Sequence, residues 1–404
     1  MPEHKISSII LPGSKSISNR LLLIKAIGHL KFDISNLSDS DDTQLLIQAI
    51  AQINSDNSEI NIHHAGTNMR FLCALLSARE NKSYTLTGSE RMKERPIGEL
   101  VDALKTLGAD IQYTEKEGYP PLSIHGKKLN GNEIEINASV SSQFISALLM
   151  IAPSFEKGLT IKLIGNIVSP SYIQLTIELM KLFGVNVDWK ANTIQVSAGD
   201  YKFNSSDIYN ESDWSAAGYF YSAMSIGTIP EIELLGLKQN SLQPDSILSM
   251  LCSKLGVDTA FSENKVVLRK TQATTQHFEY DFTDCPDIAQ TIAVTCFALG
   301  ITAKLTGLQT LKIKETDRII ALKNELEKLG AEIETTSHSF EIKHIHPIDE
   351  NSSDSIKTYN DHRMAMSFAP LLLLFPNLEI EHKEVVSKSF PTFWHEFSKL
   401  YHTK

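Results

Sequence analysis

The sequence predicts a two-lobed α/β protein assembled from six related units, the first of them shortened. Two sets of internal repeats and one polar crossing segment carry that expectation. Four helix-like runs end in Leu-Gly or Leu-x-Gly before a strand-like pair: ELVDALKTLGADIQ from Glu99, ELMKLFGVNVDW from Glu178, ILSMLCSKLGVDTAF from Ile247 and ELEKLGAEIE from Glu325. Their glycines, Gly108, Gly184, Gly256 and Gly330, are 76, 72 and 74 positions apart, the regularity expected of stacked supersecondary units. A second helix type opens on a glycine or polar residue near Gly13, Gly66, Ser141, Asp213, Asp287 and Asp361. The last five starts are spaced by 75, 72, 74 and 74 residues and the first interval is only 53. Six such units divide into two lobes of three, and the polar, aperiodic stretch 200–212 (DYKFNSSDIYNES) supplies the crossing.

Each element follows from local chemistry. The Leu-Gly runs place apolar residues at three-to-four spacing, the pattern of an amphipathic helix, and glycine is the residue best able to close such a helix in the left-handed region. Strands end at Gly88, Gly165, Gly236 and Gly307, about 20 residues ahead of each Leu-Gly. Short alternating segments such as Ile134-Glu135-Ile136 and Ile194-Gln195-Val196 complete each unit, separated by turn clusters at 118–121 and 192–193. The strand before Lys15 is compatible with either lobe. Assigned with the C-terminal half, it gives one lobe of 1–12 plus 213–404 and a second of 13–212.

Bulk properties narrow the function. The chain has 404 residues, is 42% hydrophobic and 21% charged, and carries a formal net charge of −10. That balance disfavours a general nucleic-acid or anionic-membrane binder but leaves room for local cation clusters that bind small anions. Cys73, Cys252, Cys285 and Cys296 have no metal-ligand spacing and read as buried free thiols of a reducing compartment. The start of the chain shows no secretory pattern, and the apolar stretch 369–375 is too short to span a bilayer. A cytoplasmic protein without a disulfide or zinc framework is expected.

Unusual residues gather at the helix entries. Pro12-Gly13-Ser14-Lys15-Ser16-Ile17-Ser18-Asn19-Arg20 joins a turn and a helix start to two cations, the elements of an anion site. His64-Ala65-Gly66-Thr67-Asn68-Met69-Arg70 offers a close-approach glycine, Ser141-Ser142-Gln143-Phe144 two hydroxyls and an amide, and Pro286-Asp287 a carboxylate at a helix start. The sixth entry is Tyr359-Asn360-Asp361-His362-Arg363-Met364-Ala365-Met366. Charged motifs follow two of the strand-end glycines: Arg91-Met92-Lys93-Glu94-Arg95-Pro96, and Lys312-Ile313-Lys314-Glu315-Thr316-Asp317-Arg318. Lys388-Ser389-Phe390-Pro391 lies before a final aromatic helix.

In this order the motifs PGSKSISNR, AGTNMR, RMKERP, SSQF, CPDIAQTIAV, KIKETDR, YNDHRMAM and KSFP resemble those of the EPSP synthase family, the 3-phosphoshikimate 1-carboxyvinyltransferases, and within it the glyphosate-sensitive class. The resemblance runs from Leu11 to about Phe397. It implies two lobes, each of three βαβαββ units in an inside-out α/β barrel, around an inter-lobe cleft. It also implies transfer of the enolpyruvyl group of phosphoenolpyruvate to the 5-hydroxyl of shikimate 3-phosphate, with no metal or organic cofactor, by a monomer acting on two small molecules. Lys15, Ser16, Arg20, Ser141, Ser142, Gln143, Ser169, Asp287 and Lys314 would then meet shikimate 3-phosphate, with Tyr172 nearby. Lys15, Gly66, Arg95, Gln143, Arg318, Arg363 and Lys388 would meet phosphoenolpyruvate. Asp287 is implied as proton acceptor, Glu315 as proton donor, and Lys15 as a further catalytic cation. The chain departs from the family pattern at His64, Asn68, Phe71 and Thr310, and the segment between Asp42 and His64 is shorter. Two alternatives stand beside this one. UDP-N-acetylglucosamine enolpyruvyltransferase is disfavoured because the loop 89–96 lacks a cysteine, and an inactive anion-binding homologue because the charged motifs persist.

Overall fold

A computed structural model describes residues 6–53, 55, 58–347 and 354–402. The chain forms two compact units, one of Met1–Ser14, Ser38–Ser40 and Glu211–Lys404, the other of Lys15–Leu37 and Asp41–Asn210. The divisions fall at 14/15 and 210/211 rather than at 12/13 and 212/213. The short segment Ser38–Ser40 groups with the first unit.

Each unit holds three sheets among the described residues, two of four strands and one of two. The four-stranded sheets share one topology. In the second unit, Glu133–Asn137 pairs parallel with Leu159–Ile164, which pairs antiparallel with Thr193–Val196, and Val187–Lys190 closes the edge. Glu59–Asn61, Ser83–Thr87, Leu122–His125 and Asp110–Tyr113 repeat that order. So does the first unit's sheet of His277–Asp281, Thr302–Thr306, Phe340–Ile345 and Ala331–Thr335. A parallel pair needs a crossover element, and a helix supplies it here, as Ser142–Ile151 does between the first two strands of its sheet. The βαβαββ repeat is therefore the folding unit.

Two sheets depart from sequence order. Ser7–Ile10 pairs parallel with Glu231–Leu235, the strand that follows the Trp214–Ile226 helix. Asp207–Tyr209 pairs with Asp33–Ser35, the strand that follows the Lys15–Ile27 helix. The two chain crossings thus exchange first strands between units. The first repeat is shortened as expected, its sheet limited to Asp33–Ser35 and Asp207–Tyr209. The sixth is shortened as well, which the repeat spacing did not indicate. Ser355–Ile356 and Glu379–Ile380 make a two-stranded sheet, and no hairpin follows among the described residues. Instead the Phe393–Ser398 helix sets Phe393 and Phe397 against Phe220, at 6.2 and 6.4 Å between ring centroids.

The two helix types occupy different places. The Leu-Gly helices Gly98–Thr106 and Pro170–Leu182 are amphipathic and end in Schellman turns. Gly108 N–H bonds the Lys105 carbonyl at 2.9 Å and Ala109 N–H the Leu104 carbonyl at 3.0 Å, with Gly108 at φ +98°. The other type lies inside. Gly66–Ser77, Ser142–Ile151, Trp214–Ile226, Ala289–Ala298 and His362–Phe368 are buried on nearly every face, which explains their all-round apolar and small-residue composition. In each unit these helices pack on one another, and the residues at their N-terminal ends touch, as the next section details. No helix among the described residues is long and apolar enough to cross a membrane. All four cysteines are buried and free. Burial pushes the Cys73 thiol up to about 12, with Arg70 opposing.

Candidate functional site

The expected site residues fall into two charged clusters, one per unit. In the second unit, Lys15 begins its helix and donates to Asp42 Oδ2 at 2.9 Å, with the Lys15 side chain 18% and the Asp42 side chain 4% exposed. His64 Nε2 lies 3.9 Å from Asp42 Oδ1. A buried amide network holds the backbone at Asp42. Asn68 Nδ2 donates to the Asp42 carbonyl at 2.6 Å, Asn19 Nδ2 to Asn68 Oδ1 at 3.1 Å, and Thr43 Oγ1 to Asn19 Oδ1 at 2.8 Å. Asn68, one of the departures from the family pattern, thus anchors the backbone of the residue whose carboxylate pairs with Lys15.

Gly66 opens the next helix, and Arg95 lies against it. A methyl group built on Gly66 would fall 2.2 Å from Arg95 Nη1 and 2.6 Å from Cζ, so only glycine admits the guanidinium there. Arg70 ties the two segments together, donating to the Gly66 carbonyl at 3.0 Å and the Pro96 carbonyl at 2.7 Å. Ser89 caps the short Glu90–Lys93 helix that leads into Arg95. Ser141 caps the third helix through Gln143 N–H at 3.2 Å, and Gln143 Nε2 reaches Thr67 Oγ1 at 3.2 Å. Ser142 is buried, and Ser169 adopts φ +49° ahead of Pro170. Ser16 is half-buried beside Lys15.

Arg20 points inward. It is 3% exposed and donates to Thr176 Oγ1 (2.7 Å), Ser146 Oγ (3.4 Å) and the carbonyls of Ser16 (3.0 Å) and Tyr172 (3.3 Å). Its guanidinium carbon lies 5.5 Å from the centroid of Phe71, one of the departures from the family pattern. Burial draws the guanidinium down to about 10, against an opposing effect of Tyr172, so it stays charged at neutral pH. Four of its five N–H groups are engaged inside the unit, and its geometry is that of a bolt between the Lys15–Ile27 and Pro170–Leu182 helices.

The first unit gathers Asp287, Lys314, Glu315, Arg318, Arg363 and Lys388 into one connected cluster. Arg363 Nη2 donates to Asp287 Oδ2 at 2.8 Å and its Nη1 to the Asp287 carbonyl at 3.1 Å. Arg318 Nη1 and Lys314 Nζ approach Asp287 Oδ1 at 3.5 and 3.8 Å. Arg318 Nη2 donates to Glu315 Oε2 at 2.8 Å, and Lys388 Nζ to Glu315 Oε1. Arg318 is fixed by Asp361, which accepts from Nε at 2.6 Å and from Nη2 at 3.2 Å. Burial alone would lower the Arg318 pKa, but Asp361, Glu315 and Asp287 outweigh it and hold the guanidinium above its ordinary value. Asp361 also caps the sixth entry helix through Arg363 N–H at 2.9 Å, so one carboxylate positions both arginines. Asp317 caps the helix that begins with Arg318.

Sequence reasoning left three partners out of the site: Asp42, Asp361 and Asp245. Asp361 was visible as a helix entry. The other two gave no such signal, and Asp245 is taken up below. Thr310 Oγ1 is buried with no hydrogen-bond partner.

Both clusters set carboxylates against a surplus of cations at the starts of buried helices, an arrangement suited to polyanionic ligands. A family model described as EPSP synthase (3-phosphoshikimate 1-carboxyvinyltransferase) matches residues 50–397. The chain belongs to the EPSP synthase family. It is 45% identical over 399 residues to a 3-phosphoshikimate 1-carboxyvinyltransferase of Bacteroides fragilis, covering 98% of this chain and 96% of that protein. It is 36% identical over 419 residues to the Haemophilus influenzae protein of the same name, covering 97% and 96%. Among solved structures, an EPSP synthase from Acinetobacter baumannii has the same fold, with a TM-score of 0.73 at 22% identity, covering 98% of this chain and 95% of that one. The EPSP synthase fold and the six-unit repeat agree.

Proposed function

We propose that this chain transfers the enolpyruvyl group of phosphoenolpyruvate to the 5-hydroxyl of shikimate 3-phosphate, releasing inorganic phosphate, on the route to chorismate and the aromatic amino acids. The observation that carries the reading is the Asp287–Arg363–Arg318–Glu315–Lys388 cluster, one base and one acid interleaved with three cations, in a chain of this family. Each substrate brings a phosphate and a carboxylate. A unit-charge pair at 4 Å is worth about 4 kcal/mol at an effective dielectric near 20, so bringing both substrates together requires several cations.

In this reading Lys15, Ser16, Ser141, Ser142, Gln143, Ser169 and Lys314 bind shikimate 3-phosphate together with Asp287. Arg20 supports them from beneath through its bonds to the Ser16 and Tyr172 carbonyls. Lys15, Gln143, Arg95 over Gly66, Arg318, Arg363 and Lys388 bind phosphoenolpyruvate. Glu315 gives a proton to C3 of phosphoenolpyruvate, C2 becomes electrophilic, and the 5-hydroxyl oxygen bonds to C2 as Asp287 takes its proton. The Glu315 carboxylate then takes a proton back from C3, which restores the double bond as the C2–O bond to phosphate breaks and phosphate leaves. The protein works as a monomer in the cytoplasm, and its local cation clusters allow it to bind small anions despite a net charge of −10.

The test is a phosphate-release assay. Release requires both shikimate 3-phosphate and phosphoenolpyruvate. Release with UDP-N-acetylglucosamine in place of shikimate 3-phosphate, and none with the proposed pair, overturns the reading.

A further inference from the structure

Behind Arg363 lies a buried carboxylate with no part in the reaction just described. Asp245 stands in the Pro244–Ile247 turn, is 2% exposed, and accepts a hydrogen bond from Ser215 Oγ through Oδ2. Its Oδ1 has no hydrogen-bond partner. The Ser215 hydroxyl, its proton given to Asp245, accepts from Arg363 Nη2 at 3.5 Å. That nitrogen is the one that donates to Asp287 Oδ2 at 2.8 Å. A continuous line of polar contacts therefore runs Asp245, Ser215, Arg363, Asp287.

The turn that carries Asp245 is docked with care. Gln243 Oε1 accepts from Trp214 N–H at 3.0 Å, and Gln243 Nε2 donates to the Ser212 carbonyl at 2.8 Å. Both bonds flank the start of the helix on which Ser215 sits, while Asp213 caps it through Ala216 N–H at 2.9 Å. The Asp245–Ser215 pairing is thus built into the helix start. A buried carboxylate costs stability unless something compensates it, and here the compensation leads toward the Arg363 guanidinium.

We propose that Asp245 and Ser215 are positioning residues: they fix the rotation of the Arg363 guanidinium and, through it, the orientation of the Asp287 carboxylate. A guanidinium is planar with N–H groups in a fixed fork, so setting Nη2 from one side sets what its other N–H groups can reach. Arg363 Nη1 is held in the same plane by the Asp287 carbonyl and by Tyr219 Oη at 3.4 Å. Burial pushes the Asp245 carboxyl up, and Asp287 adds to the effect while Arg363 and Ser215 oppose it. Asp245 thereby senses the same charges that it helps to place. This inference rests on the reaction proposed above for the roles of Asp287 and Arg363.

The test compares Ser215→Ala and Asp245→Asn with wild type in the phosphate-release assay, alone and in an Arg363→Lys background, which lacks the fork. Each single variant is expected to lose about tenfold or more in kcat with KM changed far less and no loss of melting temperature at neutral pH. Ser215→Thr, which keeps the hydroxyl, should restore kcat. In the Arg363→Lys background, Ser215→Ala and Asp245→Asn should cost nothing further. Wild-type kcat in both variants, or the same fold loss with Lys at 363, overturns the proposal. A wild type that releases no phosphate from the proposed pair instead overturns the reaction. In that event, a structure of Ser215→Ala decides the positioning role: an unmoved Arg363 refutes it and a rotated guanidinium supports it.

Discussion

The Arg95 guanidinium lies over the α-carbon of Gly66, so close that a β-carbon there would stand 2.2 Å from Nη1 and 2.7 Å from Nη2. The obstructing atoms are the far end of a flexible side chain, whereas the backbone around Gly66 is held by Arg70. Gly66→Ala should therefore fold with a melting temperature close to wild type while Arg95 is displaced. The expected consequence is a KM for phosphoenolpyruvate raised about tenfold or more, with the KM for shikimate 3-phosphate little changed. Steady-state kinetics with each substrate varied in turn check this. Equal increases in both would show that Arg95 is not the group that moved.

Asp361 carries two loads, the Arg318 fork and the cap of the His362–Phe368 helix. Arg318 is 2% exposed and Asp361 fully buried. Asp361→Ala removes the cap and the fully buried partner of Arg318, which keeps Glu315 and Asp287, so the loss should approach about 3–5 kcal/mol, the cost of breaking a buried ion pair. Asp361→Asn keeps a capping side chain and loses only the charge, so urea denaturation should rank wild type above Asn above Ala. An Ala variant as stable as the Asn variant would mean that the cap contributes nothing.

How much of this was legible in the sequence depends on how local each signal is. The Leu-Gly closures and polar entries are local, and their phase gave six units and the positions of the buried helices. The exchange of Ser7–Ile10 and Asp207–Tyr209 between sheets is not local, because neither strand's residues encode its partner. Nor is the shortening of the sixth repeat, since the tail after Ile380 replaces a hairpin with aromatic packing on Phe220. The charged motifs were legible as cations and carboxylates. Their orientation was not: Arg20 reads as the second cation of an anion site beside Lys15, yet Thr176 and Ser146, far along the chain, draw it inward. Asp42 reads as an ordinary acidic residue in the first turn of the Asp41–Ile53 helix, and Asp245 as a polar residue after Pro244. Only the fold brings them to Lys15 and Ser215.

Asp287 sits among Arg363, Arg318 and Lys314, so its removal takes a negative charge from a cationic pocket. Asp287→Ala should therefore bind anionic substrate at least as tightly as wild type while kcat falls by two or more orders of magnitude, about the contribution of a general base. Calorimetric titration of each protein with shikimate 3-phosphate alone, where no turnover occurs, set beside kcat, separates the two effects. Weakened binding with kcat retained would assign Asp287 to substrate binding rather than to proton transfer.

Asp245 gives a pH dependence of stability whose sign is fixed. Burial and the nearby Asp287 raise its carboxyl from an ordinary value of 3.8 to about 7, with Arg363 and Ser215 opposing and Asp213 adding slightly. Between those two values the folded protein holds a proton that the unfolded chain has released. The stability that this proton contributes is full below the unfolded pKa and is lost as pH rises through about 7. Asp245→Asn carries no titrating proton and has nearly the same shape. The melting temperature of wild type minus that of the variant should therefore fall steadily from pH 4.5 to about 7.5 and then level off, leaving the variant the more stable above neutrality. Differential scanning calorimetry of the two proteins across that range measures it. A difference independent of pH would place the Asp245 carboxyl at an ordinary value and remove its electrostatic link to Asp287.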